Sequence, residues 1–140
     1  MNYKILLLLL FSGLGGVAQC ADSLVITDPV SAHLSPQQNL KAYALTVCYG
    51  AGFTADKALT EETIRAARFY IEKGKYQIEA YNEAANLARA FQRKNYLSEK
   101  GETWAAMKCV DLLYSKELAK LVKRYEDERI AITRKGQRKH

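Results

Sequence analysis

The sequence predicts an all-α protein: a single compact domain of about five helices with one disulfide, after a cleaved signal peptide. Three observations carry that expectation. Beyond residue 35, apolar residues recur at three- and four-residue steps, and no stretch alternates as a half-buried strand would. The first roughly 20 residues have the anatomy of a secretory leader. Without that leader the cysteine count becomes even.

The leader spans residues 1–21. Lys4 supplies the positive charge, Ile5 to Phe11 form the apolar run, and small residues up to Ala21 precede the polar Asp22. Gly13, Gly15 and Gly16 break the run before it reaches the roughly 20 apolar residues of a spanning helix. Cleavage is expected after Cys20 or Ala21. Gln19 is a poor fit to the small residue that lipoprotein processing prefers before a lipidated cysteine. Export leaves Cys48 and Cys109 for an oxidising compartment, where they are expected to pair. Closing a loop of about 60 residues stabilises a fold by about 4 kcal/mol on the chain-entropy model.

Residues 22–34 have no helical period and read as an extended lead-in, and the helical domain is expected over 35–132. Ser35, Pro36 and Gln38 form an N-cap, a first-turn proline and a capping box. The first helix carries Leu40, Tyr43, Ala44, Val47, Cys48 and Ala51 on one stripe, which turns Cys48 inward, and Gly50 and Gly52 are expected to end it. Thr60, Glu61 and Glu62 open the second helix, Ile64, Ala67 and Ile71 form its apolar line, and Lys73 and Gly74 close it. The third helix, about 77–93, places Ala80, Ala84, Leu87 and Phe91 on one face, with Tyr81, Ala85 and Ala88 beside them. So many alanines admit a close neighbour, either in the same chain or in a second copy. A polar connection from Asn95 to Gly101 leads to a fourth helix with Trp104, Met107, Cys109, Val110 and Leu113. Ser115 caps a fifth, marked by Leu118, Leu121, Val122, Tyr125 and Ile132. Residues 133–140 form a basic tail.

The net charge of +6 does not point to nucleic acid. Lys4 leaves with the leader and takes it to +5; Arg134, Lys135, Arg138 and Lys139 account for four more, so the domain body stands at +1. Charges of both signs are interspersed there, as on a solvated helical surface. No catalytic constellation is visible. The histidines, His33 and His140, lie in the lead-in and at the last position, where neither can hold a general base in register. Cys48 and Cys109 sit on apolar faces, unsuited to a thiolate nucleophile, and with two peripheral histidines they show no metal-ligand spacing. Glu79 and Glu83 share a helix face, a spacing better explained by solvation than by paired acid–base work. No glycine-rich phosphate loop or other cofactor signature occurs. A binding protein, with no enzymatic activity, fits these residues best.

The connection offers a binding surface. Tyr96 and Leu97 have no helical partner positions, Ser98, Glu99 and Lys100 add polar groups, and Gly101 allows a tight turn. Read alone, the segment is either an anchor exposed to a partner or a connector whose apolar residues fold back on the core.

Several stretches resemble one family. Tyr43-Ala44-Leu45-Thr46-Val47-Cys48 is similar to the first-helix signature of the type VI secretion amidase immunity proteins, the fourth such family. Tyr70-Ile71-Glu72-Lys73-Gly74 and Glu79-Ala80-Tyr81 follow in order. The best match runs from Lys94 to Glu102, including Asn95-Tyr96-Leu97-Ser98-Glu99-Lys100-Gly101, and continues through Met107-Lys108-Cys109-Val110-Asp111 to Ser115-Lys116-Glu117-Leu118. The likeness covers about residues 36–125, with Lys73 and Tyr114 departing from commoner family residues. It implies a periplasmic helical inhibitor of a papain-like cysteine amidase that cuts the peptide stems of peptidoglycan. It also implies a homodimer that binds two toxin molecules, and it assigns Tyr96 to Gly101 to a loop pushed into the amidase cleft. Nucleic acid and a membrane span have no place in this reading. The alternative is an exported helical adaptor or envelope-binding module with no toxin target, its basic tail meeting anionic polymer or lipid.

Overall fold

Ser35 starts the first helix as its sequence demands. Its hydroxyl accepts from the Gln38 N–H at 3.2 Å, and the Gln38 side chain accepts from the Ser35 N–H at 2.9 Å. That reciprocal box satisfies two of the donors a helix start leaves open. In the computed structural model, which describes residues 29–96 and 100–138, this helix is α1, Pro36–Gly52. It is followed by α2, Lys57–Lys73; α3, Ile78–Gln92; α4, Ala105–Leu113; and α5, Lys116–Gln137. A short 3-10 turn, Val30–His33, precedes them, and no strand occurs among the described residues. The expected leader, Cys20 and residues 22–28 lie outside the described residues.

Helix α1 is the axis of the fold, packed by each of the other four helices. Its inward side carries Asn39, Leu40, Tyr43, Ala44 and Cys48. Against them lie Ala80, Ala84 and Ala88 of α3, all fully buried. The small alanine side chains let the two helices approach closely, and Tyr43 meets Tyr81 edge to face with ring centroids 5.1 Å apart. The buried Asn39 accepts from the Tyr81 hydroxyl at 3.3 Å. The alanine face of α3, a candidate surface for a second copy, is therefore occupied within the chain.

The expected disulfide is present: Cys48 of α1 and Cys109 of α4 are bonded, with Cα atoms 5.6 Å apart, and both are fully buried. Helix α1 ends at Gly52 as expected and closes with the Phe53 N–H on the Tyr49 carbonyl. Gly50 and Gly52 also serve as points of approach. A Cβ at Gly50 would stand 2.7 Å from the Thr63 hydroxyl, and one at Gly52 would stand 2.6 Å from the Gln92 amide nitrogen.

Helix α2 begins before Thr60, because Asp56 is the better placed cap and accepts from the Leu59 N–H at 3.0 Å. It leans on α1 above all and buries no residue fully. Its apolar line is accordingly only half covered: Ala67 packs on the core, while Ile64 and Ile71 remain exposed. Gly74 closes α2 as expected but with an extended backbone. Its need for glycine comes from Tyr81, whose hydroxyl would lie 1.5 Å from an added Cβ.

Helix α4 buries Cys109 as expected but turns most of its other expected apolar residues outward. Ala105, Lys108, Cys109 and Leu112 are buried, whereas Trp104, Met107 and Val110 are exposed. The disulfide at Cys109 sets that rotation. Ser115 caps α5 by accepting from the Leu118 N–H at 3.1 Å, and Leu118, Val122 and Tyr125 follow inward while Ile132 stays exposed. The helix passes the expected boundary at 132 and takes residues 133–137 into its last turns, where Arg134 and Lys135 favour the negative end of the helix dipole.

Candidate functional site

The connection between α3 and α4 is anchored by a polar knot beneath it. The Gln92 side-chain amide donates to the carbonyls of Cys48, at 3.1 Å, and Ala105, at 2.9 Å, and touches both disulfide sulfurs. One amide from α3 thus ties α1 to the start of α4. The buried Lys108 of α4 returns the contact, its ammonium donating to the Gln92 carbonyl at 3.1 Å. The ammonium thus gains a carbonyl acceptor while the aliphatic stem of Lys108 lies against the core. The same ammonium lies 5.7 Å from the Tyr96 ring centre.

Tyr96 is half-buried, and its hydroxyl donates to the Asp111 carboxylate on α4. That hydrogen bond raises the Tyr96 pKa, because the carboxylate favours the protonated phenol. The Tyr96 side chain thus fastens one end of the connection. Lys100 and Gly101 are exposed at the other end, and Gly101 has φ 71°, the left-handed conformation that a tight turn needs and glycine supplies. Leu97, Ser98 and Glu99 lie outside the described residues. Trp104, immediately before the buried Ala105 that opens α4, is also left-handed, with φ 48°.

Elsewhere the charged groups are structural. Glu83 of α3 accepts from Tyr125 at 2.7 Å and pairs with Arg124, both on α5. The Tyr125 hydrogen bond, then that of Arg124, holds the Glu83 carboxyl below its ordinary pKa, so it does not suit the acid of an acid–base pair with Glu79. Glu126 accepts from Tyr76 at 2.8 Å and from Arg129, joining the entry of α3 to α5. Cys48 and Cys109 are bonded to each other, so neither presents a thiolate. Among the described residues no group of three or more His, Cys, Asp or Glu could hold a metal ion. No helix among them is long and apolar enough to cross a membrane.

Sequence reasoning missed Gln92 and Asp111, which fix the connection from below and from the side. Gln92 ends a helix as an ordinary polar residue would, and no spacing marks it. Asp111 stands fifteen residues beyond Tyr96, too far for a local pattern to join them.

The model of a family described as type VI secretion system (T6SS), amidase immunity protein, matches residues 38–122. None of the curated proteins matches the chain. Among solved structures, the effector–immunity system Tae4/Tai4 from Salmonella typhimurium aligns at 26% identity with a TM-score of 0.64, covering 70% of this chain and 96% of that one. The effector Tae4 from Salmonella typhimurium in complex with the immunity protein Tai4 from Enterobacter cloacae aligns at 18% identity and a TM-score of 0.59. It covers 69% of this chain and 99% of that chain, and at that identity it speaks for the fold alone.

Proposed function

Because the chain belongs to the type VI secretion system amidase immunity family, we propose that it neutralises its amidase in the periplasm by plugging the catalytic cleft with the connection from Tyr96 to Gly101. The amidase immunity role is that of the family, and the match over residues 38–122 is the observation that carries it. The partner is a peptidoglycan amidase effector, as in the effector–immunity complex from Salmonella typhimurium. The chain acts by binding, with no turnover of its own.

The geometry suits a plug. Inhibition by a loop loses affinity to the entropy of ordering that loop on binding. Here Tyr96 is fastened to Asp111, Gly101 makes the turn, and the flanking helices are locked by Gln92 and the disulfide. Leu97, Ser98 and Glu99 complete the segment. The leader over residues 1–21 delivers the chain to the compartment where peptidoglycan is cut and where the disulfide persists.

The test is periplasmic co-expression with the amidase, scoring lysis, followed by titration of the purified pair. Replacing Tyr96 and Leu97 together with alanine should weaken binding by a few kcal/mol, the scale of interface hot spots, with helicity unchanged by circular dichroism. A double variant that protects and binds like its parent would sink the plug.

The homodimer belongs to the same proposal, with its face moved from α3 to α2. Ile64 and Ile71 stand exposed there beside a groove of about 390 Å³ between α1 and α2. Ile64→Lys with Ile71→Lys should shift sedimentation from dimer to monomer at micromolar concentration, and a parent that sediments only as monomer refutes the dimer.

A further inference from the structure

Helix α4 carries two apolar lines, and the core takes only one of them. Ala105, Cys109 and Leu112 turn inward with the stem of Lys108. Trp104, Met107, Val110 and Tyr114 recur at three- and four-residue steps on the opposite side, and they stay 40%, 47%, 45% and 81% exposed. A single exposed hydrophobic side chain is ordinary. Four in one line, including tryptophan, tyrosine and methionine, match the composition of an interface centre.

Two observations bear on what covers this face. Trp104 holds a left-handed backbone, φ 48° and ψ 32°, which a bulky residue adopts at a cost and which glycine or asparagine would occupy more easily. It caps α4 with no side-chain hydrogen bond and stands outside the hydrophobic core, so core packing does not account for an indole at that position. The second observation is continuity. Asp111 lies on the same side of α4, between Met107 and Tyr114, and Tyr96 is hydrogen-bonded to it. One end of the plugging connection is thereby moored to the edge of the apolar line.

We infer that the outer face of α4, formed by Trp104, Met107, Val110 and Tyr114, is a second docking surface for the amidase, continuous with the plug and seated on an apolar patch beside the amidase cleft. The inference rests on the reading under Proposed function. A helix face is rigid, so it fixes the orientation in which the connection enters the cleft, and burial of Trp104 supplies affinity that a short loop alone would lack.

The test uses the full chain and the amidase that it neutralises on co-expression. Trp104→Gly removes the indole at a position whose backbone glycine tolerates, and Met107→Lys places a charge on the face without touching the core. Each should weaken amidase binding by about tenfold or more at unchanged melting temperature, while Ile132→Lys, on the equally exposed outer side of α5, binds like the parent. Should Trp104→Gly fail to fold, Met107→Lys decides alone. If both α4 variants bind within about twofold of the parent while the Tyr96 and Leu97 double variant loses binding, the face is not used and the plug stands. If the parent neutralises no amidase at all, both readings fall together. If Met107→Lys abolishes self-association and leaves amidase affinity intact, the face belongs to a second copy and the inference is overturned.

Discussion

Replacing Cys48 and Cys109 together with alanine removes the one covalent tie between α1 and α4. The two cysteines stand 61 residues apart, and opening a loop of that length returns about 4 kcal/mol of chain entropy to the unfolded state. Both sulfurs are fully buried, so their loss leaves a small gap worth about 1 kcal/mol more. The Gln92 amide keeps both of its carbonyl acceptors, which limits further damage. A loss of about 5 kcal/mol is large against the 5–15 kcal/mol of a typical domain. Urea unfolding followed by circular dichroism measures it, for the parent under non-reducing conditions and for the variant. The slope with denaturant should also rise, because the untied unfolded chain exposes more surface. A loss below about 1 kcal/mol would refute the reasoning, and so would two free thiols in the parent under non-reducing mass spectrometry.

Gly74→Ala should destabilise by about 1–3 kcal/mol through overpacking, since the new Cβ meets the buried Tyr81, whose hydroxyl is committed to Asn39; a melting temperature equal to the parent's would contradict it. Alkaline stability should fall in a defined window. Burial first, then the hydrogen bond to Glu83, pushes the Tyr125 pKa up to about 12, and burial with Glu126 raises that of Tyr76 as well. A folded pKa above the unfolded value of about 10 means that stability is fully present below pH 10 and is lost as pH rises toward 12. Tyr125→Phe should flatten that decline in unfolding free energy, and an unchanged slope between pH 10 and 12 would count against the assignment.

Where a local chemical rule decides, the sequence was readable. The Ser35–Gln38 box, the Ser115 cap and the alanine-rich face of α3 depend on neighbours within a few positions, and each lies where its pattern puts it. The misreadings share a different cause. Periodicity tells which residues share a face but not which face meets the core, and a nine-residue helix with two apolar lines leaves that open. In α4 the choice is made by Cys48 and Gln92, which arrive from α1 and α3. Gly52 does end α1, but the close contacts that also favour glycine at Gly50 and Gly52 stand on other helices, at Thr63 and Gln92, where no local pattern shows them. Of the candidate site, the position between two helices and the turn at Gly101 were legible. The mooring of Tyr96 to Asp111 was not, since it depends on how α4 is rotated.

The disulfide also draws a closed ring through the chain. Helices α2 and α3 and the connection to α4 lie within it, and α5 lies outside. A protease that cuts anywhere between Cys48 and Cys109 therefore produces no separate fragments. The two arms stay joined at the sulfurs, and their re-docking is intramolecular, at an effective concentration on the order of millimolar. Such a nicked molecule runs at full length on a gel until reductant is added. A cut beyond Cys109 has no such protection, so α5, packed on the core by Leu118, Val122 and Tyr125 but joined by no covalent tie, is a part that cleavage can release.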